Sequence, residues 1–198
     1  DELPRMLKHF PDYTELHTVH ALRARSEVLP LGLDLRAPDA HRAPRDPSGP
    51  LRIVWNHRWE YDKGPGAFFR ALYALEERGL DYRLVVLGES FVQEPPEFQE
   101  ARARLAGRID QFGYAESFAD YARWLWRSDV VVSTALQESF GASAVEAMYC
   151  GCLPLLPDRL AYPQFIPVPL RGLCLYANDA ELVERLTDLC AHPETARA

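Results

Sequence analysis

The 198-residue sequence is short of cysteine, of long apolar runs and of positive charge. Its four cysteines, Cys150, Cys152, Cys174 and Cys190, follow no disulfide or zinc spacing, so we interpret them as reduced, buried thiols of a cytosolic protein. No apolar run reaches membrane-spanning length and no secretory signal is recognisable, so the sequence predicts no membrane span and a cytoplasmic location. The net charge of -7 argues against a broad nucleic-acid footprint on this chain.

Two nucleotide-binding fingerprints are also missing. No Gly-x-Gly-x-x-Gly run follows any predicted strand, which argues against a nicotinamide or flavin site. No Gly-Lys-Ser or Gly-Lys-Thr run of the P-loop type is present. We find no acidic metal-binding motif either, and we therefore expect no required metal or cofactor.

The composition changes along the chain and divides it into three parts. Residues 1–35 begin without an initiator Met and mix short apolar stretches, so we interpret them as the remnant of an interdomain region in a fragment or processed product. Residues 36–50 hold four prolines and almost no large apolar side chain, which predicts a linker or mobile loop. Residues 51–192 are typical of one globular domain.

Within this domain, predicted strands alternate with predicted helices. The strands are 51–56, 82–87, 108–112, 129–133, 152–156 and 173–176, and the helices are 65–78, 97–105, 118–126, 142–149 and 180–190. Strands such as Val130-Val131-Val132 are apolar on both faces, which is typical of a parallel sheet covered by helices on each side. The sequence therefore predicts an α/β fold with a doubly wound, Rossmann-like parallel sheet.

Two glutamates, Glu138 and Glu146, lie seven intervening residues apart at a predicted strand-to-helix turn. Open α/β sheets bind their ligands at such turns. No Lys or Arg lies three or four residues from Glu146, and an unpaired buried charge costs several kcal/mol. We expect a group outside the helix, such as a pair of sugar hydroxyls, to satisfy this carboxylate.

The loop after the first strand supplies two cations, Arg58 and Lys63, at the same predicted edge of the sheet. Both can meet the charges of a diphosphate. The alternative is that they pair with Glu60 and Asp62 on a solvated loop.

Backbone N–H groups at the start of the helix after Glu138 favour phosphate oxygens, and Gly141 permits close approach of the backbone. Ser139, Phe140 and Gly141 are therefore candidate phosphate contacts, the alternative being an ordinary helix start. Tyr114, after the third strand, is a candidate to stack on a nucleotide base or is a surface tyrosine.

These residues resemble the donor-binding domain of retaining glycosyltransferases of group 1, which have the two-domain GT-B architecture. The resemblance implies that the domain is the C-terminal one, that Glu146 binds the ribose hydroxyls and that Glu138 contacts the donor sugar. It also implies that Arg58 and Lys63 hold the diphosphate, and that Ser139 to Gly141 lie along the phosphates. Glu138, Arg58 and Lys63 are the expected catalytic residues.

The run Trp55 to Lys63 is similar to a motif of the glycosyltransferase-like family that includes tRNA-queuosine mannosyltransferase. This resemblance implies a GDP- or UDP-sugar donor, with mannose from GDP-mannose as one candidate, and queuosine in tRNA as one candidate acceptor. The N-terminal acceptor-binding domain of such enzymes has no counterpart in this sequence, so we expect the fragment alone to be inactive. A sugar-nucleotide epimerase of similar fold and a nucleotide-binding module without transfer activity are the alternatives.

Overall fold

The computed structural model describes residues 2–10, 14–27, 29, 31–89 and 94–197. The chain divides into two compact units, 1–32 and 33–198. The first unit holds two short helices, α1 (Glu2–Leu7) and α2 (Thr18–Ala24). Residues 1, 11–13, 28 and 30 of the predicted interdomain remnant lie outside the described residues.

The second unit is built on a six-stranded sheet in the order β3-β2-β1-β4-β5-β6. Its strands are β1 (Leu51–Asn56), β2 (Tyr82–Leu87), β3 (Ile109–Gly113), β4 (Val130–Val132), β5 (Leu153–Pro157) and β6 (Leu175–Tyr176). Every neighbouring pair is parallel. The predicted doubly wound α/β fold is confirmed.

Helices cover both faces of this sheet. They are α3 (Pro65–Glu77), α4 (Pro96–Arg104), α5 (Phe118–Arg127), α6 (Ala142–Tyr149), α7 (Arg171–Cys174), α8 (Asp179–Ala191) and α9 (Glu194–Arg197). Single 3₁₀ turns occur at Ala37–His41, Tyr61–Lys63, Tyr162–Gln164 and Val168–Leu170. Within the part of the chain that the structure describes, no helix has the length and apolar character needed to cross a bilayer.

The core forms because the strands alternate their apolar side chains between the two helical layers. Ile53 and Trp55 of β1 pack with buried residues of α3, α4 and α8 on one face. Val54 of the same strand packs with residues of α5 and α6 on the other. Both layers are therefore anchored on the strand that leads into the candidate site.

The predicted strand 173–176 is wrong in its first half. Leu173 and Cys174 belong to the short helix α7, and only Leu175 and Tyr176 pair with β5. Leu173 is 39% exposed, whereas Leu175 and Tyr176 are buried. A run of four apolar residues is too short for its periodicity to separate a helix end from a strand start.

Residues 36–50, for which the sequence predicts a linker or mobile loop, contact α5 and α6. The Trp126 Nε1 donates to the carbonyl of Pro38 at 2.9 Å, and the Tyr149 hydroxyl donates to Asp39 at 2.9 Å. The Arg45 guanidinium donates to the carbonyls of Trp126 and Cys150, at 3.2 and 2.7 Å. These contacts join the segment to the carboxyl ends of two helices.

At the amino edge of the sheet, Arg197 of α9 binds Asp129, which precedes β4. The guanidinium Nε is 3.0 Å from Asp129 Oδ1, and its other nitrogens donate to the carbonyls of Pro47 and Gly49. Asp129 also accepts from the backbone N–H of Arg52 at 2.8 Å. This ion pair joins the last helix to the segment that enters β1.

Candidate functional site

The candidate site lies where the strand order reverses, at the carboxyl ends of β1 and β4. From β1 the chain proceeds to β2 and β3 on one side, whereas β4, β5 and β6 extend on the other. The loops after β1 and β4 therefore leave the sheet in opposite directions and open a crevice between them. Arg58 and Lys63 belong to the first loop, and Glu138 belongs to the second.

Backbone contacts tie these two loops together. The N–H groups of Leu136 and Gln137 both donate to the carbonyl of Asp62, at 2.7 and 3.2 Å. Gly64 has a φ of +63°, and a Cβ there would lie only 2.3 Å from the Thr134 carbonyl oxygen. Only glycine tolerates both the left-handed backbone and this close approach, so the sequence places Lys63 beside the β4 loop.

Lys63 is buried among oxygen atoms of both loops. Its Nζ donates to the Gln137 carbonyl at 3.0 Å and lies 3.3 Å from Glu138 Oε2 and 3.2 Å from Asp62 Oδ2. Two predicted site residues, Lys63 and Glu138, are thus in direct contact. The Lys63–Asp62 pair of the solvated-loop alternative also forms, but it is not solvated, since the Lys63 side chain is only 11% exposed.

The Glu138 carboxylate turns back on the start of α6. Its Oε1 accepts from the backbone N–H of Phe140 at 3.2 Å. Burial by itself raises the pKa of Glu138, but the Phe140 and Gly141 amides and the Lys63 charge outweigh it and hold this pKa below its ordinary value. Glu138 is therefore an anion that already engages the groups expected to meet a ligand.

Gly141 precedes α6 in the left-handed region, with a φ of +85°. Phe140 packs edge-on against Phe165, with ring centroids 5.5 Å apart, and Ser139 is exposed. Ser139 lines an open cleft of about 520 Å³, together with Lys63 and Glu138. The three predicted phosphate contacts thus lie between the buried ion pair and the start of the helix.

Arg58 lies on the surface of the candidate site. It is 55% exposed, and its guanidinium pairs with Glu60 at 3.1 Å, as the alternative for this loop expects. Arg58 borders two neighbouring cavities, the cleft at Glu138 and a second one beside β1 and β2. An exposed pair of this kind is weak, so Arg58 can exchange Glu60 for a ligand anion at little cost.

The second cavity has a volume of about 440 Å³ and a mixed apolar and polar wall. Tyr114 lines it and is 66% exposed, and Leu87 and Phe118 contribute apolar surface. The full lining comprises Asn56, His57, Arg58, Leu87, Gly88, Tyr114, Ala115, Glu116, Ser117, Phe118 and Tyr121. This volume and lining suit a flat ring such as a nucleotide base.

Glu146 lies on α6 and is partly buried, as its sequence environment predicts. Its Oε2 accepts from the Tyr121 hydroxyl at 2.6 Å. Tyr121 lines the 440 Å³ cavity, whereas Glu146 does not. The sequence predicts that a group outside α6 satisfies the Glu146 carboxylate. The protein itself supplies part of this group through Tyr121, which the sequence does not predict as a site residue.

His57 is buried beside this cavity. Burial, together with the nearby Lys63 charge, lowers the pKa of the imidazole to about 4, so the ring is neutral at pH 7. Its Nδ1 lies 3.2 Å from the Ser143 hydroxyl. Among the described residues, His57 Nε2 and Asn56 Oδ1 are buried polar atoms without a hydrogen-bond partner.

The four thiols are free; Cys150, Cys152 and Cys174 are buried as predicted, whereas Cys190 is only partly buried. Burial raises the pKa of Cys150 to about 11 and that of Cys152 to about 12. The described part of the chain holds no cluster of three or more His, Cys, Asp or Glu side chains suited to a metal ion.

The sequence has relatives among curated glycosyltransferases. It is 35% identical over 147 residues to tRNA-queuosine alpha-mannosyltransferase of Drosophila melanogaster, a match covering 74% of this chain and 38% of the relative. It is 26% identical over 181 residues to the GDP-mannose-dependent alpha-(1-6)-phosphatidylinositol dimannoside mannosyltransferase of Mycobacterium tuberculosis, covering 86% of this chain and 45% of the relative. The chain thus spans less than half the length of these relatives.

Solved structures share the fold. The C-terminal domain of the group 1 glycosyl transferase LpcC from Francisella tularensis matches with a TM-score of 0.66 and 20% identity, covering 83% of this chain and 91% of that domain. Anabaena Alr3699/HepE in complex with UDP matches with a TM-score of 0.65 and 16% identity, covering 92% of this chain and 54% of that protein. Both matches confirm the Rossmann-like fold of a GT-B C-terminal domain.

The family model of Glycosyl transferases group 1 matches residues 38–198, which include every strand of the sheet and both loops of the candidate site. Because this match covers most of the chain, the chain belongs to that glycosyltransferase family.

Proposed function

We propose that this chain is the nucleotide-sugar-binding half of a retaining glycosyltransferase that transfers a hexose, with GDP-mannose as the leading donor. The carrying observation is the buried Lys63 held at the switch point between Glu138 and Asp62, beside the start of α6. An anion that enters here meets a cation and backbone donors together. Both curated relatives named above are mannosyltransferases, which supports mannose.

The resemblance to group 1 glycosyltransferases implies a role for each residue. Lys63 and Arg58 stabilise the diphosphate that leaves when the bond to the sugar breaks, because negative charge develops there. The amides of Phe140 and Gly141 lie beside the same charge, and Ser139 lines the cleft. Glu138 contacts the sugar, Glu146 binds the ribose and Tyr114 lies along the base. The free protein uses Glu138 to cover its own amide donors, so the donor must displace this contact.

The proposed acceptor is queuosine in tRNA, and the proposed location is the cytoplasm. The name of the Drosophila relative supports this acceptor. A tRNA requires a basic surface for its phosphates, and this chain has a net charge of -7. The relatives are longer than this chain. We therefore assign most tRNA contacts to regions of the whole enzyme that correspond to the parts of the relatives outside the match.

Calorimetry with GDP-mannose, GDP, UDP-glucose, UDP and ADP-glucose tests the donor proposal. We expect GDP-mannose to bind most tightly, and Arg58→Ala to weaken its binding by about 1.5–3 kcal/mol through the lost charge-assisted hydrogen bonds. The matched control is Arg70→Ala, because Arg70 is also exposed and paired with a carboxylate, that of Asp179, but lies outside the site. Equal affinity of the two variants would remove Arg58 from the diphosphate site.

The same titration separates a donor site from a nucleotide-binding module without transfer activity. A donor site should bind the sugar nucleotide more tightly than the bare nucleotide.

The acceptor is tested with the intact parent protein, labelled GDP-mannose, and tRNA with or without queuosine. Label confined to the queuosine-containing tRNA is expected, and equal label on both would contradict the acceptor proposal.

A further inference from the structure

We infer that Tyr121 and Asn56 are positioning residues that fix the Glu146 carboxylate for a ribose, so that they determine selectivity for ribonucleotides over deoxyribonucleotides. This inference rests on the proposed function, since it deepens the ribose role of Glu146. Tyr121 belongs to neither resemblance, and Asn56 belongs only to the run Trp55 to Lys63, which does not point to Glu146. Three hydrogen bonds that connect β1, α5 and α6 support the inference.

The first step is the contact between Tyr121 and Glu146. The Tyr121 hydroxyl donates to Glu146 Oε2 at 2.6 Å, a short bond typical of a hydroxyl on a carboxylate. No described residue donates to the other oxygen, Oε1. The carboxylate thus has one oxygen held by the protein and one left for a ligand hydroxyl.

The second step is the direction of the Tyr121 proton. The Asn56 Nδ2 donates to the Tyr121 oxygen at 3.0 Å and to the Ser143 carbonyl at 2.8 Å. Since both Asn56 hydrogens are committed, the tyrosine oxygen is an acceptor from Asn56 and its own proton must point to Glu146. Burial and the Glu146 charge raise the pKa of Tyr121 well above its ordinary value, so this proton stays in place at neutral pH.

The third step is access to a ligand. Asn56 and Tyr121 both line the 440 Å³ cavity, and Asn56 is 6% exposed with its Oδ1 unpaired among the described residues. A buried acceptor without a partner is costly unless a ligand supplies a donor. A nucleoside in this cavity would lie against Asn56 and Tyr121, the two residues whose hydrogen bonds lead to Glu146.

The experiment compares two ligands on the 198-residue protein by calorimetry. The ligands are the tighter-binding of GDP and UDP and its 2′,3′-dideoxy analogue. Wild type should prefer the ribonucleotide. Tyr121→Phe keeps the ring and should weaken ribonucleotide binding roughly five- to tenfold while leaving the dideoxy analogue unchanged, because the lost bond acts only through the ribose.

Tyr149→Phe is the matched control. Tyr149 lies one turn from Glu146 on α6, and its hydroxyl also donates to a carboxylate, that of Asp39, outside the cavity. It should change neither affinity. Asn56→Leu, which removes the donor to Tyr121, is a second variant and should give a smaller selective loss of ribonucleotide affinity.

Three results would overturn the inference: equal weakening of both ligands, unchanged affinities, or tighter ribonucleotide binding by Tyr121→Phe. The last would mean that the hydroxyl competes with the ribose for Glu146. Failure of the proposed function looks different, because wild type itself would then bind neither ligand or bind both equally. Melting temperatures of each variant show whether the fold is retained.

Discussion

At the residue scale, Lys63 differs from the surface lysine that its loop suggests. It is the cation between two carboxylates of the candidate site, Asp62 and Glu138, whose side chains are 19% and 15% exposed. Without a ligand, this arrangement is a structural ion cluster. Removal of Lys63 should therefore lower the stability of the protein even when no ligand is bound.

We predict that Lys63→Met lowers the free energy of unfolding by about 3 kcal/mol, because it leaves two partly buried carboxylates without their cation. Urea denaturation measures the change. Adding Glu138→Gln to this variant should recover part of the loss, since it removes one of the uncompensated charges. Arg70→Met, which breaks an exposed pair with Asp179, should cost less than about 1 kcal/mol. Equal losses in the two single variants would contradict a buried role for Lys63.

His57 should make the protein sensitive to mild acid. Its pKa falls from 6.5 to about 4 on folding, so between these values the unfolded chain takes up a proton that the folded protein refuses. Stability is unaffected by His57 above pH 6.5 and decreases as the pH falls towards 4, by roughly 3 kcal/mol in total. In His57→Gln, denaturation curves should show a shallower loss over this window.

The control for this titration is His192→Gln, which changes an exposed histidine at the end of α8. Its pH profile should match that of wild type. The test of the His57 prediction is the slope of the free energy of unfolding against pH. Its absolute value is not a test, because the loss of the buried His57 ring changes stability at every pH.

The residues of the site were predictable to different degrees. Glu138 and Lys63 are found from the sequence because they follow strands that end at one edge of a parallel sheet, and the fold brings them into contact. The sequence does not predict Tyr121 or Asn56 as site residues, although Asn56 lies in the run Trp55 to Lys63. Nothing in the spacing distinguishes Tyr121 from the other eight tyrosines, since its partner lies 25 positions away on another helix.

At the scale of the elements, the loop between β1 and α3 depends on one glycine. Gly64 and Gly79 share a left-handed φ, +63° and +68°, but a Cβ would collide with the Thr134 carbonyl only at Gly64. We predict that Gly79→Ala costs about 1 kcal/mol for the backbone alone. Gly64→Ala should cost at least about 2 kcal/mol more, by the same denaturation measurement. Similar costs would show that the loop moves away freely.

Arg45 should stabilise the ends of two helices at once. Its guanidinium binds the carbonyl of Trp126 in the last turn of α5 and that of Cys150 at the end of α6. Positive charge at a helix carboxyl end is favourable. Arg45→Met should therefore lower the free energy of unfolding by about 1–2 kcal/mol. A loss no larger than that of Arg70→Met would contradict this role.

The elements themselves were largely predictable, because strand and helix periodicities are strong in the core. Ser117 is predicted to cap α5 and either Asn178 or Asp179 to cap α8; the side chains of Ser117 and Asn178 accept from the N–H groups of Asp120 and Glu181. Contacts between segments that are far apart in the sequence were harder to predict. Residues 36–50 are polar and rich in proline, and the bonds of Arg45 to positions 81 and 105 residues away leave no local pattern.

At the scale of the whole molecule, the chain spans less than half of its curated relatives. We predict that residues 1–198 bind the donor but transfer no sugar, because an acceptor site would be formed largely outside this domain. Incubation with labelled GDP-mannose and queuosine-containing tRNA should give hydrolysis of the donor at most. Efficient transfer would show that this domain carries the acceptor site as well.

The Arg197 contacts hold together two parts of the chain that are far apart in sequence. The guanidinium reaches the Pro47 carbonyl at 2.9 Å, so the points where the chain enters β1 and leaves α9 lie side by side. They lie at the amino edge of the sheet, opposite Lys63 and Glu138. Arg197→Met should therefore disturb the entry to β1 while it leaves Lys63 and Glu138 in contact, because these two residues lie at the opposite edge of the sheet.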